Sequence, residues 1–412
     1  MGLGTTLWKF SPTWYGAYAR VRAGLVDRSI RRDAARVGSA KPYWTDEPSM
    51  IVRLGERLSG RSLNWSGRNR PHVLYASRPS VWERHNIPGE LSKVARTSTY
   101  FYEDRGFRDE LFGSATARAA FNADLLEFVR ALNERDPVDL FIGYLSGWQT
   151  SAAAIEEIAA MGIVTCNYCL DDKLSFYGSH VESRWTGPAE LANAFDLNLT
   201  SAIESLSKYE ALGALALFWP EGANPDHYRP LRREFAHDVS FTGAWYGYRP
   251  ILVERLRSAG IAVETHGPGW PGGAVSDADM VEIYARSRIN LGFGGIGYST
   301  RSRCLKGRDF EVPMSGALYL TSENPELDLV WSLGEEIFTY RDADDCVLQV
   351  RQLLADPEKC ERARKMSRAR GLREHTWAER FRTLVNAIDL AIAPATIDSV
   401  ALPRPHPGAV QK

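Results

Sequence analysis

LKGRDFEVPMSGALYLT, Leu305 to Thr321, decides how this chain is read. Its first seven residues hold Lys306, Arg308, Asp309 and Glu311; after a small Ser315-Gly316 corner it becomes apolar from Ala317 to Leu320. That is the pattern of a short helix that aims its N-terminus at a ligand and returns the chain to a buried strand. Proline suits the first turn of a helix, so Pro313 is expected near the helix start, with the charged residues at the mouth. Cations at a helix N-terminus oppose the dipole unless an anion lies between them, and a phosphate meets that need. A solvated helix end with an ordinary ion pair fits the same residues.

Working outward, the stretch belongs to a strand and helix alternation. VSFTGAW (239–245), IAVETHG (261–267), INLGFG (289–294), ALYLTS (317–322) and EIFTY (336–340) read as strands, separated by helical runs at Ile251–Ser258, Asp277–Ser287 and Asp344–Ala355. An earlier series reads the same way: HVLYAS (72–77), TSTYFYED (97–104), VDLFIGYLSG (138–147), IVTCNYCLDD (163–172), FDLNLT (195–200) and ALALFW (214–219), with helical patterns at Ala117–Arg135 and Ser151–Ala160. Such alternation implies parallel sheets covered by helices, an α/β class with two doubly wound, Rossmann-like domains. PEGANPDHYRPL, Pro220–Leu231, reads as the linker between them.

The 412 residues suit two ordinary cores. A net charge of -1 offers no argument for a nucleic-acid partner, no apolar run is long enough to span a bilayer, and five scattered cysteines suit a reducing compartment. Cys166 and Cys169 lie inside an apolar run, which favours a buried strand over a redox pair. Residues 1–70 are different, with 13 Lys/Arg against 5 Asp/Glu and a basic amphipathic pattern in RVRAGLVDRSIRRDAARV. They read either as a membrane-surface foot or as a helical extension packed on the first domain or on a second subunit.

In folds of this class ligands bind beyond the carboxyl ends of the strands. There the first domain offers Asp171 and Asp172, which could position or deprotonate an acceptor hydroxyl or merely hold a turn. The second offers Gly243–Arg249, whose Arg249 stands near a helix start where a pyrophosphate could bind, and the turn His266–Trp270. GFGGIG, Gly292–Gly297, fits a dinucleotide fingerprint literally, but it comes late in its domain and runs into the basic loop YSTRSRCLKGR. It is read as a loop whose backbone N–H groups approach a diphosphate, with Gly294, Gly295, Gly297 and Tyr298 as contacts.

From Ile289 to Thr321, on through PELDLVWSLGEEIFTYRDADDCVLQVRQLLADPEK and REHTWAERF, and more loosely back to Pro71, the chain resembles the group-1 glycosyltransferases, specifically the branch similar to the spore-maturation protein CgeB. The resemblance implies a GT-B fold, two Rossmann-like domains facing across a cleft. Its expected divisions are a basic helical extension (1–70), an acceptor domain (71–219), a nucleotide-sugar donor domain (220–375), a helix crossing back to the first domain (376–393) and a disordered tail (394–412). It implies transfer of a sugar from a nucleotide-diphosphate sugar to a hydroxyl acceptor, with the sugar nucleotide as co-substrate, no cofactor and no metal. Gly267, Gly269 and Trp270 match the turn that lies against the nucleobase, and Glu311 matches the glutamate that holds the ribose hydroxyls, a task suited to an acceptor-only carboxylate. Lys306 and Arg308 would stabilise the departing diphosphate. Arg303 stands where the broader family has a second glutamate, so retention of configuration rests on the family alone.

The expected partners are the sugar nucleotide and a hydroxyl-bearing saccharide, lipid-linked glycan or small molecule, with no nucleic acid. The expected location is the cytoplasm, with peripheral membrane contact through residues 1–70 as an option. A GT-B shell that binds sugar or polymer without turnover is the competing reading. The clustered Lys306, Arg308 and Glu311 argue against it.

Overall fold

The computed structural model describes residues 11–36, 47–65, 70–78 and 81–393. They form two compact units, one holding 47–65, 70–78, 91–219 and 381–393, the other 11–36, 81–90 and 220–380.

In the first unit β1 (His72–Ser77), β2 (Arg96–Phe101), β3 (Leu140–Gly143), β4 (Val164–Cys169), β7 (Leu197–Thr200) and β8 (Ala216–Phe218) make one parallel sheet in the order β2-β1-β3-β4-β7-β8. A small antiparallel hairpin, β5 (His180–Val181) with β6 (Arg184–Trp185), follows β4. The central strands are buried on both faces, as their unbroken apolar runs require. One face packs on the helix Ala115–Arg135 through Phe121, Leu125 and Val129, and on Ala152–Ala160 through Ile155 and Ile158.

The second unit repeats the plan with β9 (His237–Thr242), β10 (Val263–His266), β11 (Ser287–Leu291), β12 (Tyr319–Ser322) and β13 (Phe338–Tyr340), all parallel, in the order β10-β9-β11-β12-β13. The chain leaves β9 outward to β10 and returns on the other side to β11. The β9/β11 boundary is thus a topological switch point, where connecting loops part and leave a crevice. Its core joins Val239, Phe241, Ile289, Leu291 and Leu320 to Leu252, Leu256, Val347 and Val350 of the covering helices.

The described parts of residues 1–70 divide between the two units. The helix Pro12–Arg36 packs on the second unit: Tyr15 Oη donates to Gly247 O at 2.8 Å and Ser299 Oγ to Asp27 at 2.5 Å. The expectation that it sits on the first domain is therefore corrected. The helix Glu47–Leu58 does go with the first unit, burying Met50, Leu54 and Leu58 at helical spacing, and Arg61 just beyond it reaches Asp196 at 2.6 Å. The C-terminal segment forms two helices, Pro357–Glu374 and Trp377–Ile392. They part because Ala223 donates to His375 O and accepts from Trp377 N, a bridge that helical backbone could not make. The tail expected at 394–412 lies outside the described residues. None of the described helices is long and apolar enough to cross a membrane.

Candidate donor site

The stretch that opened the reading folds as the helix Arg308–Met314 followed by β12. Pro313 is its sixth residue, not part of its first turn. The helix tolerates this because it ends one residue later: Gly316 N–H bonds to Pro313 O, Ala317 N–H bonds to Val312 O, and Gly316 takes the left-handed backbone (φ 72°) that such an ending needs. At the other end Asp309 accepts from Lys306 N–H (2.7 Å) and from Tyr319 Oη (2.7 Å). Asp309 thus pins the helix mouth, and burial raises its carboxyl pKa to about 6.

Arg308 and Arg249 come together at the switch point. Arg249 is buried at the start of the helix Arg249–Ser258, its guanidinium 4.2 Å from the Tyr246 ring centre and 2.8 Å from Ala244 O. Burial first, and then repulsion from Arg308, lower its pKa to about 10, against the opposing effects of Tyr246, Tyr340 and Tyr319. Arg308 lies 5.4 Å over the Phe241 ring, and its Nε is buried without a hydrogen-bond partner. Burial works against its charge as well, but Tyr319, Tyr284, Glu311 and Asp309 more than offset this and raise its pKa. Gly243 makes room for the pair: a Cβ there would stand 3.0 Å from Arg308 Nη1, and its φ of 149° disfavours any side chain.

Glu311 follows one turn after Arg308. Burial lifts its pKa to about 7 against the pull of Arg308 and Tyr228. The ring of Tyr228 is fully buried beside Glu311 and Asn86, and Asn86 in turn accepts from Asn224 N–H at 3.2 Å. This explains why the helix Val81–Leu91 belongs with the second unit over most of its length. Gly307 separates two carboxylates: a Cβ there would lie 3.0 Å from Glu311 Oε1 and 3.0 Å from Glu221 Oε2.

The neighbouring loops are tied to one another. Gly243 N–H bonds to His266 O at 2.7 Å, Trp245 N–H to Pro268 O at 2.8 Å, and Gly267 N–H to Gly273 O at 2.6 Å, so Gly267 and Gly269 sit directly behind the Arg249 loop. Trp270 is not at the surface of that turn. It is buried in the apolar core, edge-on to Phe241, with its indole N–H making no hydrogen bond. GFGGIG folds back on the basic loop that follows it: Gly294 N–H bonds to Ser322 Oγ, Ile296 N–H to Ser302 O, and Gly295 bridges to Arg303. Gly297 and Tyr298 meet the helix Pro12–Arg36, Tyr298 lying edge-on to Tyr18 at 5.8 Å and under the Arg22 guanidinium at 5.5 Å. They form a seam with that helix.

At the carboxyl end of β4 the two adjacent acids diverge. Asp171 is exposed, and its carbonyl starts the short helix Asp172–Ser175. Asp172 is fully buried, accepts from Tyr209 Oη at 3.2 Å, and has its pKa raised to about 6 by burial against the help of Thr200, Lys208, Ser205 and Tyr209. A carboxylate turned inward and held this way cannot face an acceptor, so Asp172 is withdrawn from the acceptor assignment. Arg303 spends its guanidinium on the backbone carbonyls of Thr300, Glu323 and Arg341, clamping its loop to the ends of β12 and β13.

Sequence reasoning missed Tyr228, Tyr284, Tyr319, Asn86 and Glu221. Tyr284 and Tyr319 were read as parts of a helix and a buried strand and Tyr228 as part of the linker, and Asn86 and Glu221 are distant in sequence from the stretch they support. Among the described residues no group of three or more His, Cys, Asp and Glu is placed to share a metal ion.

Residues 249–386 match the family model described as glycosyl transferase-like. No curated protein sequence matches the chain. Among solved structures it is similar to a glycosyltransferase from Rickettsia africae (10% identity, 80% of this chain and 100% of that one, TM-score 0.55). It is similar also to sucrose-phosphate synthase from Thermosynechococcus elongatus (12%, 78% and 100%, TM-score 0.53) and to Anabaena HepE solved with UDP-glucose (11%, 77% and 99%, TM-score 0.53). The fold is GT-B.

Proposed function

We propose that the protein is a glycosyltransferase that moves a glycosyl group from a nucleotide-diphosphate sugar to a hydroxyl acceptor, with retention of configuration, and that it belongs to the CgeB-like branch of the group-1 enzymes. The observation that carries this reading is the Arg249–Arg308 pair: two buried guanidinium groups at the switch point of the second sheet, each 5.4 Å from the centre of the Phe241 ring, with Arg308 repelling Arg249. Their arrangement is costly for the empty protein and suited to one that binds a diphosphate between them. Glu311, when ionised, accepts the two ribose hydroxyls. As the bond from the anomeric carbon to the diphosphate oxygen breaks, its electron pair stays on the diphosphate, where Arg249, Arg308 and Lys306 neutralise the growing charge. The acceptor hydroxyl forms the new bond and gives its proton to a base, a part we assign to Asp171, exposed beyond the carboxyl end of β4.

The test is a panel of nucleotide sugars, headed by the UDP sugars because HepE was solved with one. Thermal stabilisation and slow release of free nucleoside diphosphate are followed for wild type and Glu311→Ala. Stabilisation by one nucleotide family, with release lost in the variant, supports the reading and names the base. Failure of the whole panel to bind overturns it and favours a shell that binds sugar without turnover.

A further inference from the structure

The helix Pro12–Arg36 has two faces with different fates. Its inner face carries Tyr15 and Ala19, buried on the second unit, and Asp27, which holds Ser299 and Ser302. Its outer face carries Trp14, Val21 and Leu25, which are 70%, 65% and 52% exposed. At 3.6 residues per turn these three fall within an arc of about 40°, and Arg28, Arg32 and Arg36 continue the same stripe toward the C-terminus. All three arginines are exposed. Of the nine large apolar side chains exposed among the described residues, three are therefore gathered on one strip of one helix, in line with the cations. Scattered exposed leucines need no explanation, but an apolar strip that runs into a basic one does.

We propose that this outer face docks on an anionic lipid surface, with Trp14, Val21 and Leu25 entering the interface and Arg28, Arg32 and Arg36 meeting lipid phosphates. The charge decides between occupants. The same strip on a second copy carries no carboxylate to meet these arginines, whereas an anionic membrane complements them along the strip. The helix lies in the plane of such a surface and does not cross it. Because its inner face holds Gly247 and the Ser299–Ser302 loop, the face that meets lipid is one helix diameter from both donor-site loops. The docking does not depend on the proposed chemistry and survives if no sugar nucleotide binds.

The experiment is flotation of the full chain with neutral phosphatidylcholine vesicles and with vesicles that also contain phosphatidylglycerol, at low and high salt. The expected result is binding to the anionic vesicles only, weakened by salt. Trp14→Ser/Val21→Ser/Leu25→Ser and Arg28→Glu/Arg32→Glu should each lower the binding about tenfold or more. These positions are exposed, and an unchanged melting temperature checks that both variants fold. Absence of binding to anionic vesicles, or binding that both variants retain, overturns the proposal. A dimer in light scattering that the serine variant dissolves, without vesicle binding, also overturns it and assigns the strip to a second copy.

Discussion

The carboxyl ends of the two sheets occupy the same place in the same fold, and they treat buried charge in opposite ways. In the first unit Asp172 has complementary neighbours: Tyr209 donates to one of its oxygens, Thr200 and Ser205 favour its ionised form, and Lys208 lies close while donating to the carbonyls of Asp172 and Lys173, although Oδ1 itself makes no hydrogen bond. In the second unit Arg249 and Arg308 repel each other, and Arg308 Nε has no partner at all. Each site keeps one buried atom without a hydrogen bond, so the difference is the sign of the neighbour: a complementary one stabilises a buried charge, while a like one favours a bound counter-ion. The contrast teaches that residue type at a strand end identifies a candidate, and that local compensation decides whether it is available to act.

The sharpest way to break this comparison is Arg308→Met. If the pair exists to hold a diphosphate, the variant loses about 3 kcal/mol of sugar-nucleotide binding, roughly a hundredfold in Kd by calorimetry. The melting temperature of the empty protein should move little, because the variant removes the repulsion on Arg249 but also the cation beside the buried Glu311 and Asp309. A large loss of stability would mean that the arginines are structural. Asp172→Ala should do the reverse, costing about 2 kcal/mol in urea unfolding while leaving sugar-nucleotide affinity unchanged.

Glu311→Gln tests the carboxylate beside Arg308 and should weaken sugar-nucleotide binding about tenfold. Its pH dependence follows from the sign of the shift. The folded pKa of about 7 lies above the ordinary 4.5, so the folded state holds its proton more tightly. This group's contribution to stability therefore falls as pH rises from about 4.5 to 7, while affinity for the ribose diol rises as Glu311 ionises through about 7. In the glutamine variant the affinity change across that range should flatten. The smallest effect is expected of Gly307→Ala. Its methyl would press on Glu311 and Glu221, which should raise the KM for the sugar nucleotide a few-fold with kcat nearly kept, by shifting Glu311 rather than removing it.

Much of the fold was legible because a parallel sheet buried on both faces leaves uninterrupted apolar runs, and all eleven strands expected from such runs form, with ends shifted by a few residues. The grouping of Lys306, Arg308, Asp309 and Glu311 in the opening stretch was legible as well, since a short helix keeps neighbours in sequence close in space. The residues that were misread are those whose role depends on a partner far along the chain. Asp172 looks free until Tyr209 closes over it, and Trp270 looks like a loop residue until the Phe241 core receives it. Pro313 looks like a helix start until the Gly316 ending shortens the helix around it.

By itself, then, the sequence determined the alternation of strand and helix, the division into two Rossmann-like halves, and the cluster of Lys306, Arg308 and Glu311. These follow from periodicity and local spacing, which need no distant contact. Only the tertiary structure decided that Arg249, 59 residues before Arg308, becomes its neighbour, and that the basic N-terminal helix packs on the second unit with an apolar strip left outward. Repulsion between two buried cations, and the exposure of one helix face, are properties of a distance and a surface, and a linear chain has neither until it folds.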